Sequence, residues 1–346
     1  MTVLKAGQLT LLDYAKRLDP NGQIADVAEL LSQDNEWMED AVSMEANKTT
    51  SHMVAVRTGL PEVYWRAINK GVPRSKSTTA QIEEPTSMME AFPCVDEALA
   101  DLGGNKQKLL LSENKPFVEA MGQKQTQTMF YGNPAGNPMA FQGFAPRYSS
   151  LSAGNGQNII DASVNSGTSA TTNTSIWLVV WGEETVFNIF PKGSKAGLQY
   201  KYLGVETVAD ENGNEYRAHR TQYKWHNGLC VKDWRYVVRI ANINTEVLRN
   251  VGAGYDSPMQ LPSLPLVEFM DRAIVRVPNL RAGRAAFYAN RNVVSALRVQ
   301  ALYHSSNALA IQPSLNQFGT HDNVLHFMGI PVRTVDQIIN NEGKVS

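Results

Sequence analysis

The sequence predicts an α+β protein in which a β-rich middle is flanked by helical segments. Residues 175–244 contain runs such as SIWLVVWG, TVFNIFPKG and RYVVRIANIN, and the turn sequence DENGN. Aromatic and β-branched residues in this pattern are typical of long antiparallel strands with one half-buried face. Before and after this region, apolar residues recur at the three- and four-residue spacing of amphipathic helices. We therefore expect a sheet with helices packed against it.

Composition limits the classes of protein to consider. The chain has 346 residues, 43% of them hydrophobic, which is enough for a real core and favours two packed domains over one. It has 32 basic and 33 acidic residues and a formal net charge of -1. That balance lacks the basic bias of a dedicated nucleic-acid binder. A near-neutral chain also tolerates dense association with copies of itself.

Cysteine usage and hydropathy indicate the cellular compartment in which the protein folds. Cys94 and Cys230 are the two cysteines, and we predict free thiols rather than a disulfide because nothing suggests an oxidising compartment. The N-terminal stretch carries Asp13 and Asp19 and lacks the apolar core of a signal peptide. No apolar run approaches the roughly 20 residues that span a bilayer. We expect a soluble protein that assembles in the cytoplasm, with no membrane partner.

Residues 1–50 are predicted to form an arm. The stretch QIADVAELLSQ places Ile24, Val27 and Leu31 on one helical face. That face is narrow and the linkers around it are polar. A segment of this kind cannot bury enough apolar surface to stand alone, so we expect it to lie on a larger body.

Residues 51–90 are predicted to form a long β-hairpin with a basic tip. Two extended runs, SHMVAVRTGLP and TTAQIEEPTSM, flank a turn that contains Gly71 and Pro73. Four basic residues lie in or beside that turn: Arg66, Lys70, Arg74 and Lys76. An isolated two-stranded hairpin is marginal in water, so we expect this one to lie on a neighbour. The alternative is a solvated loop.

Residues 91–136 are predicted to hold two helices. The first, VDEALADL, ends at Gly103-Gly104. Because proline is tolerated near a helix start but not in its middle, Pro116 places the start of the second helix near Ser112. That helix runs to about Tyr131 and has a largely polar surface, which indicates an exposed or subunit-spanning helix.

The remaining segments are predicted from local pattern. Residues 137–171 are rich in Gly, Asn and Ser and are expected to be surface loops. Helical spacing returns from Leu266 to Val277, and a short strand at 285–288 precedes another helix. The end of the chain, NVLHFMGIPVRTVDQIINNEG, predicts a strand, a turn and a short closing helix capped by Thr334.

No established catalytic or metal motif stands out. A phosphate-binding loop, HExxH and CxxC are all missing from the sequence, and the histidines lack metal spacing. A catalytic interpretation of the chain end would pair Asp336 with Glu342 beside His321 and His326. The structural interpretation, a strand followed by a closing helix, competes with it and leaves both carboxylates without chemistry.

Two other functional patterns are weak. Glycoside chemistry would use Asp233, Glu183 and Glu184 as carboxylates. Its sugar platforms would be Trp177, Trp181, Trp225 and Trp234. Aromatic residues in a sheet more often belong to a core. A nucleic-acid surface would rest on three scattered arginines, Arg281, Arg284 and Arg291. We expect no catalytic, cofactor-binding or metal-binding residue.

Several stretches taken together carry a family resemblance. They are TSIWLVVWGEETVFNIFPKGSKAGLQYKYLG, YKWHNGLCVKDWRYVVRIANIN, RAAFYANRNVVSALRVQA and FMGIPVRTVDQIINNE. In this order they resemble the major capsid proteins of tailed bacteriophages of the short-tailed, podovirus-like type, which have the Hong Kong ninety-seven-type fold. In the commoner order of that family the GIPV strand precedes the long strands. Here it follows them, as in a topologically permuted group.

The resemblance implies a four-part subunit. Residues 1–50 would be the N-terminal arm and 51–90 the extended loop. The peripheral domain would comprise 91–136 and 172–246, with a spine helix at about 112–131. The axial domain would comprise 137–171 and 247–346.

The resemblance also implies a structural role rather than an enzymatic one. Hexamers and pentamers of the chain would close into an icosahedral shell around double-stranded DNA, contacted weakly and without sequence specificity. The hairpin tip would contact a neighbouring subunit. A scaffolding protein and a portal would be further partners, and so would a decoration protein where the shell carries one. The expected location is the virion. Rival functions are a carbohydrate-binding or depolymerase-type tail protein and a capsid decoration protein.

Overall fold

The computed structural model describes residues 33, 35–102, 105–163, 172–210, 212–249, 266–303, 309–315 and 321–346. Most of the predicted arm therefore lies outside the described residues. The described helices are α1 (Trp37–Asp40), α2 (Glu97–Asp101), α3 (Lys106–Tyr131), α4 (Phe144–Arg147), α5 (Thr245–Arg249), α6 (Leu266–Arg276) and α7 (Arg291–Tyr303). Short 3₁₀ turns lie at Gly156–Asn158, Trp234–Tyr236 and Leu280–Ala282.

The strands form one large sheet and one separate ribbon. In chain order they are β1 (Ser43–Glu45), β2 (Ser51–Gly59), β3 (Thr78–Pro85), β4 (Ser87–Ala91), β5 (Cys94–Asp96), β6 (Ile159–Asp161), β7 (Asn173–Trp181), β8 (Val186–Phe190), β9 (Leu198–Ala209), β10 (Glu215–Val231), β11 (Val237–Asn244), β12 (Arg284–Ala289), β13 (Leu309–Leu315), β14 (His321–Phe327) and β15 (Ile330–Thr334). The large sheet has the order β13-β14-β15-β12-β7-β8-β10-β4, with β11 and β6 beside β7, β1 beside β8, and β5 and β9 beside β10. Only β2 and β3 stand apart from it, among the strands the structure describes.

Strand β7 is the centre of the body, and every one of its residues is buried. Side chains alternate along a strand, so its two faces serve two cores. Ile176, Leu178 and Val180 point to a core that also holds apolar residues of α6 and α7. Trp177, Val179 and Trp181 point to the other, which holds residues of α3 and α4. Burial on both faces explains why β7 reads as an unbroken apolar run.

Helix α3 is longer than the sequence predicts. It begins at Lys106 rather than near Ser112, and Asn105 caps it by accepting a bond of 3.2 Å from the backbone N–H of Lys108. Pro116 lies inside the helix, although it removes one backbone donor. The early turns form because Leu109 packs in a small core with Val95, Leu99 and Ala100. Tertiary packing here outweighs the local cost of proline.

The end of the chain differs from the prediction in one element. GIPV is, as predicted, an internal strand: β15 pairs with β14 on one side and runs parallel to β12 on the other. The predicted closing helix after Thr334 is wrong. Val335 instead bridges to Asn35, and a turn follows in which the Ile338 N–H bonds the Val335 carbonyl at 3.2 Å. Contact with the segment around Asn35 holds these residues extended.

The prediction of surface loops over 137–171 is also wrong in part. Phe141, Phe144 and Tyr148 are at most 2% exposed and belong to the core beneath β7. The segment 164–171 lies outside the described residues. Gly, Asn and Ser in this stretch therefore shape tight turns around buried aromatic anchors, rather than marking a detached loop.

Candidate assembly surface

The ribbon β2–β3 carries the predicted contact residues at its far end. The two strands pair antiparallel, from Ser51 opposite Pro85 to Gly59 opposite Thr78. The 18-residue loop 60–77 between them, here called the tip, has no strand. All four predicted residues lie in the tip and are exposed: Arg66, Lys70, Arg74 and Lys76. The structure thus places all four in one exposed loop, while their contact with a neighbour stays a prediction.

The tip has a defined shape despite its exposure. The Ser75 hydroxyl donates to the Glu62 carbonyl at 2.7 Å and ties its two limbs together. The Arg66 guanidinium donates to the Lys70 carbonyl at 2.9 Å, and Asn69 turns the chain with φ of 67°. Tyr64 donates a hydrogen bond to the Glu62 carboxylate, which raises the pKa of the Tyr64 hydroxyl. Local bonds, rather than packing, hold the tip.

Sequence reasoning missed the apolar side of the tip. Among the described residues, five large apolar side chains are more than 80% exposed, and four of them lie within 60–68. They are Leu60 (82%), Val63 (90%), Trp65 (104%) and Ile68 (91%). The sequence carries this apolar signal in the run LPEVYWRAI, residues 60–68, where the large apolar residues lie before and between the basic residues of the tip. We call these four side chains the apolar tip.

The base of the ribbon, in contrast, is fixed to the body. Val54 is 6% exposed and packs with Phe187, Ile189 and Cys230. Beside it, the Glu84 carboxylate accepts two bonds from the Arg147 guanidinium, at 2.5 and 2.7 Å. The Glu84 side chain is 5% exposed, whereas its neighbours along β3 face solvent. A bidentate pair of this kind fixes the direction in which the ribbon leaves the body.

The Arg147 guanidinium also donates to the carbonyls of Gln142 and Leu229, at 3.2 and 3.4 Å. Burial, and then the charge of Glu84, raise the pKa of the nearby Cys230 thiol to about 12. Cys94 and Cys230 are both free, as predicted.

The carboxylates at the chain end belong to two separate ion pairs. Asp336 accepts bonds of 3.0 and 2.7 Å from Arg291. Glu342 is 4% exposed and accepts from Arg239 at 2.9 Å and from the Tyr131 hydroxyl at 2.5 Å. Burial, and then the charge of Glu342, raise the pKa of Tyr131 well above its usual value. Each carboxylate is held by a different arginine, so the structure does not support a catalytic pair.

The buried Arg239–Glu342 ion pair has a structural role in the core. The Arg239 guanidinium also lies 4.9 Å from the centre of the Trp177 ring and donates to the Tyr148 carbonyl at 2.7 Å. Its charge is therefore neutralised on one side by Glu342 and covered on the other by an aromatic face. The side chain of His321 lies outside the described residues.

A third network joins the start of the described chain to its end. Trp37 donates from its indole nitrogen to the Thr126 hydroxyl at 2.8 Å. Asp40 accepts two bonds of 3.1 Å from Arg333 and a third of 3.1 Å from the Tyr288 hydroxyl. These contacts anchor the segment that leads into the ribbon.

The residues proposed for sugar chemistry are not arranged for it. Trp177 and Trp181 are at most 1% exposed, so neither offers a platform. Asp233 pairs with Arg235 at 2.7 Å, and Glu184 pairs with Lys232 at 2.5 Å. Trp225 lines a cavity of about 180 Å³ that has no carboxylate among its lining residues. Trp234 is half-buried.

The described residues also hold no cluster of three or more His, Cys, Asp or Glu side chains suited to a metal ion. Across that part of the chain, no helix is both long and apolar enough to cross a membrane. Of the three arginines considered for nucleic acid, Arg291 is engaged by Asp336, while Arg281 and Arg284 are exposed at the edge of β12.

Comparison with known proteins shows which structures and which family the chain resembles. The fold matches a capsid chain from the structure of bacteriophage Epsilon15 with a TM-score of 0.75 and 29% identity, over 100% of this chain and 99% of that one. A second match is the bacteriophage JBD30 capsid, with a TM-score of 0.49 and 10% identity over 89% and 92% of the two chains. A search of curated proteins finds no match. The Epsilon15 match confirms the predicted capsid fold. The family model described as major capsid protein GP7 matches residues 19–346, so the chain belongs to the major capsid protein GP7 family.

Proposed function

We propose that this capsid protein forms hexamers and pentamers of itself, which close into the icosahedral head of a tailed phage around its DNA. As a member of its family, the chain is a structural protein of the virion rather than an enzyme, and it associates with copies of itself. The proposal concerns the form of that association and the parts of the subunit that make it.

The observation that carries the proposal is the ribbon β2–β3. It is a two-stranded sheet that shares no strand with the large sheet. Seven of the eight residues of β3 are exposed, Glu84 being the exception. An isolated ribbon of this length is marginal in water, so it needs a second surface to lie on. In a lattice of identical subunits that surface is the adjacent copy, and repetition around a ring makes the contact heterologous and closed.

The proposed division of the chain is the one that the family resemblance implies. Residues 1–50 form the arm, 51–90 the extended loop, 91–136 and 172–246 the peripheral domain, and 137–171 and 247–346 the axial domain. In the polar stretch of helix α3, Gln125 and Thr126 are buried within the subunit, while Lys124 and Gln127 are exposed and are the side chains that a neighbour could cover. The basic residues Arg66, Lys70, Arg74 and Lys76 meet acidic surface on the adjacent copy, and they act mainly on the rate and the salt dependence of association.

Further partners follow from the needs of a closed shell. A scaffolding protein sets its curvature during assembly, a portal occupies one vertex, and a decoration protein is a possible addition outside. Packaged double-stranded DNA touches the inner surface weakly and without sequence specificity.

Electron microscopy of the purified protein tests the proposal. The chain is co-expressed with its neighbouring genes, fractionated by size, and imaged in negative stain. Closed shells, tubes or rings of five and six subunits are the expected result. A monomer or small oligomer at every salt concentration and with every neighbour would exclude the proposal.

A further inference from the structure

The tip is too apolar to be a contact made by charge alone. Single exposed apolar residues are ordinary on a protein surface, but a group of them marks an interaction site. Here Leu60, Val63, Trp65 and Ile68 are each more than 80% exposed. The basic side chains lie among them, in the same 18-residue loop 60–77. That arrangement has the anatomy of an interface, with apolar anchors and a charged rim.

Trp65 is the strongest candidate for an anchor. Its side chain is 104% exposed, so no residue in the described part of the chain covers it. A tryptophan buries roughly 150–250 Å² on docking, and tryptophans are enriched among residues that dominate binding. Because Ser75 and Glu62 already tie the two limbs of the loop together, less conformational freedom is lost when Trp65 docks.

Charge indicates which molecule receives the tip. Arg66, Lys70, Arg74, Lys76 and one carboxylate, Glu62, give loop 60–77 a net charge of +3. The formal net charge of the chain is -1, which leaves -4 for the rest of it. The body of a second copy therefore attracts the tip of the first. The apolar tip stays exposed in the subunit itself, so the surface that would cover it belongs to another copy.

We infer that Trp65 is the anchor by which each subunit docks its apolar tip onto the body of a second copy of this chain, with the basic residues contributing steering rather than affinity. This inference rests on the proposed function and adds the residues that hold the contact. It predicts a contact that survives salt, since burial of apolar surface is not screened whereas exposed charge pairs are.

The first test compares Trp65→Ala with Met139→Ala in assembly. Met139 is a matched control because it is 84% exposed but lies outside the tip. We expect Trp65→Ala to raise the subunit concentration needed for shells at least ten-fold, and Met139→Ala to change it less than two-fold. A joint Lys70→Ala, Arg74→Ala variant should slow assembly but leave its end point nearly unchanged at 0.5 M NaCl. Both Trp65→Ala and Met139→Ala should unfold at the wild-type denaturant midpoint, because both side chains are more than 80% exposed.

The second test uses Trp65 as its own probe. The other described tryptophans, Trp37, Trp177, Trp181, Trp225 and Trp234, are buried or half-buried. Fluorescence emission of the wild type should therefore shift to shorter wavelength when subunits assemble. Trp65→Phe, which keeps a large apolar ring, should assemble and lose that shift.

Three results would overturn the inference. One is normal assembly of Trp65→Ala. The second is a shift that persists in Trp65→Phe. The third is a shift that appears only while a scaffolding protein is bound and vanishes from shells that have lost it, which would make the scaffold the receptor of Trp65. In each case wild-type shells still form, so the proposed function stands. Failure of the wild type to form shells, tubes or rings would count against the proposed function instead.

Discussion

Trp181 and Trp65 show how differently the body and the tip use the same side chain. Trp181 is 1% exposed, stacks on Trp37 with ring centres 6.2 Å apart, and donates to the Tyr288 hydroxyl at 2.8 Å. Trp65 is 104% exposed and contacts no core. The body thus buries Trp181 and pairs its indole N–H within one chain, while the tip leaves Trp65 exposed until a second chain covers it. Stability of the subunit and affinity between subunits are therefore held by separate residues.

Charged residues repeat the comparison. In the body, Arg239 is buried against Glu342 and the face of Trp177. In the tip, Arg74 and Lys76 are exposed to solvent. A buried charge is costly to leave alone and an exposed one is not. Substitutions in the body should therefore change the free energy of unfolding, and substitutions in the tip should change assembly.

The largest expected effect is that of Trp181→Ala. Removing a fully buried tryptophan leaves a cavity and takes away the hydrogen bond that the Tyr288 hydroxyl accepts, although this hydroxyl keeps its bond to Asp40. We expect the free energy of unfolding to fall by about 3–5 kcal/mol. Urea denaturation of the unassembled subunit measures it. Trp65→Ala is the matched control and should change the value by less than about 0.5 kcal/mol. Equal losses in the two variants would contradict the separation of roles.

Glu342→Ala is expected to have the second-largest effect on the free energy of unfolding. It leaves the Arg239 guanidinium buried without a counter-charge, and we expect a loss of about 3 kcal/mol in the free energy of unfolding. Asp336→Ala is the control, since the side chain of its partner Arg291 is 62% exposed. That substitution should cost less than about 1 kcal/mol. If both variants lose the same amount in a denaturant titration, burial of the Arg239–Glu342 pair is not what matters.

Glu84→Ala should loosen the base of the ribbon. Arg147 keeps its two carbonyl acceptors but loses its carboxylate partner, and we expect about 2 kcal/mol of destabilisation. Hydrogen exchange should accelerate in 51–59 and 78–85 more than in β7. Glu83→Ala removes an exposed carboxylate from the same strand, paired with Lys48, and should leave exchange nearly unchanged. Uniform acceleration across the body would show that Glu84 does not act on the ribbon in particular.

The smallest expected effect is a rise, rather than a fall, in the free energy of unfolding. Met328 and Gly329 form the two-residue turn between β14 and β15, with φ of 49° and 81°. Asn-Gly suits such a turn better than Met-Gly, because asparagine enters the left-handed region more readily. Met328→Asn should raise the free energy of unfolding by about 0.5 kcal/mol, and Met328→Val should lower it. Thermal unfolding of the two variants side by side gives the sign.

The body could largely be predicted from the sequence because its pattern is local. The apolar run of β7 and the extended GIPV strand were both predicted as strands from their own residues. The prediction of one half-buried face was wrong for β7, because helices pack on both sides and every residue of the strand is buried. The start of α3 could not be predicted in this way, because it depends on Leu109 meeting Val95 and Leu99. The end of the chain was mispredicted as a helix for the same reason, since its partner Asn35 is far away in sequence.

The tip shows a different limit of prediction from sequence. Arg66, Lys70, Arg74 and Lys76 were predicted as the contact because charge stands out in a turn, and no role was predicted for the apolar residues beside them. Whether Trp65 is buried depends on where the ribbon lies relative to the body, and no local pattern encodes that. Phe141, Phe144 and Tyr148 are the converse case, being buried residues within a stretch that reads as loop.

The ion pair between Asp40 and Arg333 determines when, during synthesis of the chain, the start of the described chain can be joined to its end. The two residues are 293 positions apart in the chain, and a ribosome adding about 5–20 residues per second needs roughly 15 to 60 s to cover that distance. During that interval Asp40 lacks Arg333, although Trp37 of α1 can already meet Thr126 and Trp181, and the large sheet is without β15. The tip, which ends at residue 77, is complete long before. Each copy therefore carries its connecting loop from early in synthesis, but the segment that leads into the loop is fully anchored only after nearly the whole polypeptide has been made.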